Sequence, residues 1–258
     1  MHNVIRAAFL TALALGCGAA GAASAGGSES WRGWKADTDI RSTASLQRGA
    51  RNYVNYCLGC HSLQYMRYNR IAEDLGMTEE QVKANLMFTG ERWFDQVLSP
   101  MPAKNAEAWF GRAPPDLSLI TRARGPDYVF QFLKTFYADE SRAATTGVNN
   151  LALEGAAMPH VLADLQGVQK AVFVLEKHGT GEGEQMVRRF EKFELVKPGK
   201  LEPAEYDEFV RDTVNFLDYV AEPIRLKRER LGIWVIAFLL VFTGFAYALK
   251  KEIWKDVH

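Results

Sequence analysis

Two cysteines and a histidine stand at a spacing that has few chemical uses. They are Cys57, Cys60 and His61 in the stretch NYCLGCHSLQY, and Cys17 is the remaining cysteine of the chain. Cys-x-x-Cys occurs in redox dithiols, zinc sites and disulfides, and with a following histidine it is the pattern that attaches a c-type haem. Each use makes a different demand on the rest of the chain.

Covalent haem attachment fits the rest of the sequence best. A structural zinc site needs four ligands, usually from two such pairs, and there is no second pair. A thioredoxin-type dithiol opens a helix after a strand, whereas apolar residues at helical spacing precede this motif. Two thiols one helical turn apart suit the two vinyl groups of a haem. We therefore expect one haem c, attached through Cys57 and Cys60 with His61 as proximal ligand; free thiols in a thiol:disulfide exchange protein are the alternative.

The second axial ligand stays open on pattern alone. A haem that transfers electrons keeps both axial positions occupied, and a thioether ligand raises the potential. Met101 and Met158 each precede a proline and are equal candidates, His160 offers a second histidine, and Met66 is too close to His61 to reach the opposite face. Three other methionines fall on apolar helix or strand patterns and are expected in the core: Met77, Met87 and Met186.

The elements that position the motif are predicted to be mostly helical. Apolar residues recur at helical spacing from Leu46 to Cys57, so a helix leads into the motif from a cap at Ser42 or Ser45. Thr78 and Gln81 have the spacing of a capping box. These signals indicate a helical domain around the cysteines.

Three further elements complete the domain. Asp127 can cap a helix whose apolar face runs as far as Phe136. Apolar positions over residues 206–220 predict a last soluble helix, which Pro223 ends. Glycines within residues 179–183 predict the turn of a small β-hairpin.

The two ends of the chain indicate export and a membrane anchor. Residues 1–25 resemble a cleaved secretory signal peptide, with an N-terminal anchor or lipidation at Cys17 as alternatives. The uncharged stretch 231–249 reaches roughly 28 Å as a helix, close to the thickness of a bilayer core. We expect residues 26–230 in the periplasm and residues 250–258 in the cytoplasm. A formal net charge of zero argues against a nucleic-acid binder.

Five blocks in this order resemble the cytochrome c1 family, the haem subunits of bacterial quinol:cytochrome c oxidoreductase (cytochrome bc1) complexes. The last block is followed by a single apolar span, as in that family. The blocks are RGARNYVNYCLGCHSLQYMRYNR, APPDLSLITRAR, DYVF, MPHVL and EYDEFVRDTVNFLDYVAEP. The resemblance implies a mainly α fold: a cytochrome c-like haem domain with a small β-hairpin insertion, plus one C-terminal transmembrane helix.

The resemblance also implies roles for residues whose pattern alone predicts only structure. It makes Met158 the distal ligand and places a propionate partner at Arg124, although Arg122 is equally plausible from the sequence. It assigns three further residues to the haem pocket: Pro114, Pro115 and Tyr128. Without the resemblance, the prolines predict a rigid turn and Arg124 a solvated surface charge.

The implied function is electron transfer inside a membrane complex. The chain would pass single electrons from a Rieske iron–sulfur subunit to a cytochrome c, beside a cytochrome b subunit and within a dimeric complex. It would be a subunit of the reductase in the bacterial inner membrane, with no catalytic acid or base of its own. Four acidic residues are candidates for facing the acceptor cytochrome, and a merely solvated position is the alternative for each: Glu73, Asp74, Asp139 and Glu140. A free-standing membrane-anchored cytochrome c is the alternative within this class.

Overall fold

The computed structural model describes residues 30–178 and 185–256. The predicted signal peptide with Cys17, the glycines of the predicted hairpin turn and the last two residues lie outside them. The α-helices are α1 (Thr43–Tyr56), α2 (Tyr68–Leu75), α3 (Glu79–Asn85), α4 (Ala103–Phe110), α5 (Ile120–Arg124), α6 (Pro126–Lys134), α7 (Ala163–Gln166), α8 (Pro203–Ala221) and α9 (Arg225–Ile253). The strands are β1 (Leu63–Arg67), β2 (Gln96–Val97), β3 (Phe136–Ala138), β4 (Val148–Asn150), β5 (Gly167–His178) and β6 (Gln185–Pro198).

The predicted mainly helical fold is confirmed. Within the described residues, the strands form three antiparallel pairs, β1–β2, β3–β4 and β5–β6. The last pair is the predicted hairpin and is longer than expected, with pairing from Gly167–Pro198 to His178–Gln185. The other two pairs are too short to leave an alternating pattern in the sequence.

The core is built on the crossing of α1 and α8, which meet at Gly49. A Cβ atom at Gly49 would overlap the backbone oxygen of Asp212 and lie 2.7 Å from Cβ of Phe216. Beside the crossing, the rings of Tyr53 and Phe216 have centroids 5.9 Å apart, and Arg48 donates two hydrogen bonds to the buried Asp212 carboxylate. The close backbone approach fixes α1 and therefore the point where it delivers the cysteine motif.

The capping predictions are confirmed at one helix and wrong in detail at another. Thr78 and Gln81 form the predicted reciprocal capping box of α3. Ser42 occupies the N-cap position of α1, but its side chain makes no capping hydrogen bond. Ser45 lies inside the helix and donates to Asp212 at 2.6 Å instead. The Ser45 hydroxyl, which the local pattern assigned to a cap, therefore donates to Asp212 on α8 instead.

The predicted cap at Asp127 is wrong. Gly125 is the N-cap residue of α6 and Pro126 its first residue, so Asp127 lies in the first turn. Its carboxylate accepts a 2.9 Å hydrogen bond from the backbone N–H of Ala36, which is fully buried. A buried N–H needs an acceptor, and the folded-back N-terminal segment supplies this donor. The predicted apolar face also ends early, because Phe136 belongs to β3.

The last helix, α9, has the length and composition of a membrane span. It begins just after α8 and contains the predicted stretch 231–249. Its mean hydropathy is 2.2 over its most apolar window, and none of that window is buried against the rest of the chain. Ion pairs to the end of α8 tie its base to the domain: Arg225 to Asp218 and Arg228 to Glu222.

Candidate haem site and relation to known proteins

Cys57, Cys60 and His61 lie in one turn that continues from the end of α1. The backbone N–H of Cys57 donates to the carbonyl of Tyr53, and the N–H groups of Cys60 and His61 donate to the carbonyl of Cys57 at 3.0 and 2.9 Å. Both cysteines are half-buried and neither is in a disulfide. The Tyr53 hydroxyl donates to the carbonyl of His61. The turn is thus held from both ends, a role of Tyr53 that helical periodicity did not reveal.

The thiols are in an environment that keeps them protonated. Burial raises the pKa of Cys57 to about 12, and burial also raises the pKa of Cys60. Cys57 stands at the C-terminal end of α1, where the helix dipole disfavours a negative charge. Reactive redox dithiols have lowered thiol pKa values at helix N-termini. The local electrostatics therefore oppose the thiol:disulfide exchange alternative.

The imidazole of His61 is held with one nitrogen engaged. Its Nδ1 atom lies 2.7 Å from the carbonyl oxygen of Pro115. A carbonyl only accepts, so Nδ1 carries the proton and Nε2 keeps its lone pair. Burial lowers the pKa of His61, with hydrogen bonding to Pro115 opposing it. A neutral ring with a fixed tautomer is what a metal-ligating histidine needs.

The segment that carries Pro115 is joined to the cysteine turn by several bonds. Pro114 is half-buried and Pro115 is exposed. The backbone N–H of Leu117 donates to the carbonyl of Ser62 at 2.9 Å. The Asp116 carboxylate accepts from the backbone N–H of Gln64 at 2.8 Å. These contacts fix the position of the Pro115 carbonyl against His61.

Met101 belongs to the same side of the domain as the cysteine turn. Its backbone N–H donates to the hydroxyl of Ser99. Ser99 in turn donates its hydroxyl to the carbonyl of Gly59 and its N–H to the hydroxyl of Ser62. Met101 is therefore two residues away from a direct link to the turn between the two cysteines.

Met158 lies on a separate segment, between β4 and α7. It is half-buried and packs against the same hydrophobic core as Cys57 and Tyr128. Two residues on, the ring of His160 stacks on Phe136 with centroids 4.9 Å apart. Burial lowers the pKa of His160 to about 4, and within the described residues its buried Nε2 atom has no hydrogen-bond partner.

Two of the three methionines predicted in the core are there. Met77 and Met87 are half-buried against the hydrophobic core, and the side chain of Met186 lies outside what the structure describes. Met66 is 1% exposed and is also a core residue.

The two arginines that competed for the propionate role face different neighbours. The guanidinium of Arg124, at the end of α5, lies 5.5 Å from the ring centroid of Tyr128. The Tyr128 ring is stacked against Phe132, with centroids 6.3 Å apart. Arg122 lies near Glu222, whose pKa is held below its usual range by a hydrogen bond from Arg228 and by the charge of Arg122.

The four acidic residues that were candidates for facing the acceptor differ in whether their carboxylates are already hydrogen-bonded within the chain. Asp74 accepts from the Tyr219 hydroxyl and from Arg70, and Asp139 accepts from Ser141 and Asn149. Both carboxylates therefore already accept hydrogen bonds from other side chains of the domain. Glu73 and Glu140 are exposed, and Glu140 lies 3.6 Å from Lys170.

The cytochrome C1 family model matches residues 34–257, which covers the whole of this helical domain and α9. The chain belongs to the cytochrome c1 family. It is 50% identical over 223 residues to a cytochrome c1 of Allochromatium vinosum, covering 86% of this chain and 88% of that protein. It is 46% identical over 224 residues to a Nitrosomonas europaea protein named ammonia monooxygenase gamma subunit, covering 87% of this chain and 88% of that protein.

A cytochrome c1 is a haem c protein of a quinol:cytochrome c oxidoreductase, so the chain is an electron-transfer subunit of the cytochrome bc1 class. A solved chain titled hyperthermophilic respiratory complex III resembles it weakly, at 18% identity and a TM-score of 0.38 over 83% of this chain and 77% of that one. Two cysteines outside any disulfide, beside a histidine whose Nδ1 is bonded to a carbonyl, fit the attachment of a haem c.

Proposed function

We propose that this cytochrome c1 carries single electrons from a Rieske iron–sulfur subunit to a cytochrome c through one covalently bound haem c. Cys57 and Cys60 would hold the group through thioether bonds to its two vinyl groups. His61 and Met158 would bind its iron. When bound, the haem supplies a one-electron ferric/ferrous couple.

The observation that carries the proposal is the 2.7 Å contact between His61 Nδ1 and the Pro115 carbonyl. It orients the imidazole and leaves Nε2 as the available ligand atom, one residue from a cysteine with a protonated thiol. Through this contact the backbone of Pro115 would line the pocket, with Pro114 next to it in the chain.

The separate positions of the two candidate methionines favour Met158. The second ligand would come from a segment other than the turn that carries His61. The backbone of Met101 is tied through Ser99 to the turn that carries His61. Met158 comes from a different segment that packs beside Phe136 and α6.

Arg124 and Tyr128 are the better pair for a propionate. The Arg124 guanidinium is exposed and lies over the Tyr128 ring, so its donors are free to pair with a carboxylate. Arg122 is also exposed, but its charge acts on Glu222, which Arg228 already pairs. Neither residue would act as an acid or base, because the chain contributes positioning and electrostatics only.

The proposed topology follows from α9 and the sequence ahead of the domain. Residues 1–25 would direct export, residues 26–230 would lie in the periplasm, and residues 250–258 would remain in the cytoplasm. The span 231–249 would lie beside a cytochrome b subunit in the inner membrane, in a dimeric complex.

Purification of the tagged chain from detergent-solubilised membranes tests the proposal. We expect haem-stained chain together with a dihaem cytochrome b and a Rieske subunit, and reduction of its haem on addition of quinol. Recovery of the haem-stained chain without these two subunits would favour a free-standing cytochrome. Because one 46% identical relative is named as an ammonia monooxygenase subunit, recovery with monooxygenase subunits instead would favour that second function.

A further inference from the structure

The segment that leads to Met158 has little regular structure but is densely hydrogen-bonded. It leaves β4 at Asn150 and reaches Met158 through a stretch with no helix or strand. Three polar side chains bind its backbone, those of Arg142, Asn149 and Asn150. The two asparagines are only 7% and 1% exposed. Buried amides are retained where their hydrogen bonds are satisfied.

Asn150 turns the chain away from β4. Its Oδ1 atom accepts from the backbone N–H of Ala152 at 2.8 Å and of Leu153 at 3.1 Å. It also accepts from the Thr135 hydroxyl, and its Nδ2 atom donates to the carbonyl of Phe132 at 2.8 Å. One side chain thus joins the start of the segment to the end of α6.

Asn149 and Arg142 hold the later part of the segment. Asn149 accepts from the backbone N–H of Gly155 at 2.9 Å and donates to the Asp139 carboxylate at 3.0 Å. Arg142 donates to the carbonyl of Ala156 at 2.9 Å, and its Nε donates to the carbonyl of the first residue of β4. Three side chains therefore hold backbone groups that lie two to six residues before Met158.

We propose that Arg142, Asn149 and Asn150 are positioning residues that keep the Met158 thioether at the iron; this rests on the proposed ligand role of Met158. A thioether is a weak, neutral ligand, so its occupancy depends on how rarely its segment opens. Each side chain restricts the segment through hydrogen bonds to its backbone. Loosening the segment would let a competing ligand take the place of Met158 at the iron.

Imidazole binding to the ferric, haem-loaded full chain in detergent tests the proposal. Asn149→Ala and Asn150→Ala each remove the acceptor of part-buried backbone N–H groups in the segment, so the open state becomes roughly tenfold more populated. The apparent affinity for imidazole then rises by the same factor, about tenfold, because it scales with the open fraction. Arg142→Gln removes the bond to Ala156 at a half-buried position and gives the same test if the asparagine variants do not fold.

Asn215→Ala is the matched control. Asn215 is 2% exposed and donates to the carbonyl of Asp39 and to the Ser45 hydroxyl, both at 2.9 Å, so its removal weakens the fold away from Met158. We expect a lower denaturation midpoint with wild-type imidazole affinity. Equal affinity gains in the control and the test variants, or none in the test variants, would overturn the proposal.

Met158→Leu separates this inference from the ligand assignment. If Met158→Leu raises imidazole affinity but the Asn149, Asn150 and Arg142 variants do not, only the positioning role fails. If Met158→Leu leaves imidazole affinity unchanged, Met158 is not the ligand and the proposed function fails at that residue.

Discussion

At the residue scale, the carboxylate of Asp127 joins α6 to the N-terminal segment. It accepts from Lys35 Nζ at 2.8 Å and from the buried N–H of Ala36 at 2.9 Å. Burial opposes ionisation, but the hydrogen bonds from Lys35 and Ala36 outweigh it and hold the pKa of Asp127 below its usual range. The ionised form is therefore favoured by folding.

Asp127→Asn is predicted to lower the free energy of unfolding by about 1 kcal/mol at pH 7, since the site is partly exposed. The folded-state pKa lies below the unfolded one, so the carboxylate contributes fully above the unfolded pKa. That contribution is lost as the pH falls through the folded pKa. Urea denaturation of the detergent-solubilised wild type and variant, at neutral and at strongly acidic pH, measures this difference in unfolding free energy. Equal differences between wild type and variant at neutral and strongly acidic pH would contradict the account.

The sequence predicted those contacts of the site whose residues are close together in the chain, and it did not predict the distant ones. The Cys57, Cys60 and His61 pattern is readable because its chemistry lies within five positions. The partner of His61 Nδ1 is a backbone carbonyl 54 positions away, and no side-chain pattern marks it. The hydrogen bonds of the Asn149 and Asn150 side chains were missed for a similar reason, because two adjacent asparagines in a sequence indicate only a turn.

At the element scale, the crossing of α1 and α8 at Gly49 determines where the cysteine turn lies. Gly49→Ala places a Cβ against the Asp212 carbonyl and Phe216, so the helices must separate. We predict a loss of about 2 kcal/mol or more in unfolding free energy. Gly33→Ala is the control, because a Cβ there has no heavy atom within 4 Å and its effect should be within about 0.5 kcal/mol. Similar losses in both variants would contradict this packing.

Helical periodicity located α1 and α8 because their apolar faces are long and regular. It did not show that they cross at Gly49, since a glycine leaves no mark in a hydrophobic pattern. The assignment of Asp127 as a cap failed because the N-terminal segment supplied a competing donor. The short pairs β1–β2 and β3–β4 are set by tertiary contacts and could not be read locally.

At the scale of the whole molecule, α9 is the one candidate membrane span within the described residues. A chain ending at residue 224 loses the apolar helix, which is exposed along its most apolar window. We predict that this truncated chain moves to the soluble periplasmic fraction with its haem, while the full chain resists alkaline extraction. Retention of the truncated chain in washed membranes would show a second attachment.

The reduced-minus-oxidised spectrum and midpoint potential of wild type, Met158→Leu and Met101→Leu test the central claim most directly, with haem staining on a denaturing gel. We predict stained chain in all three, and loss of low-spin character with a lower potential only in Met158→Leu, because the thioether favours the ferrous state. Loss of low-spin character in Met101→Leu alone would exclude Met158 as the ligand, and a wild-type band without haem would exclude haem attachment at Cys57 and Cys60.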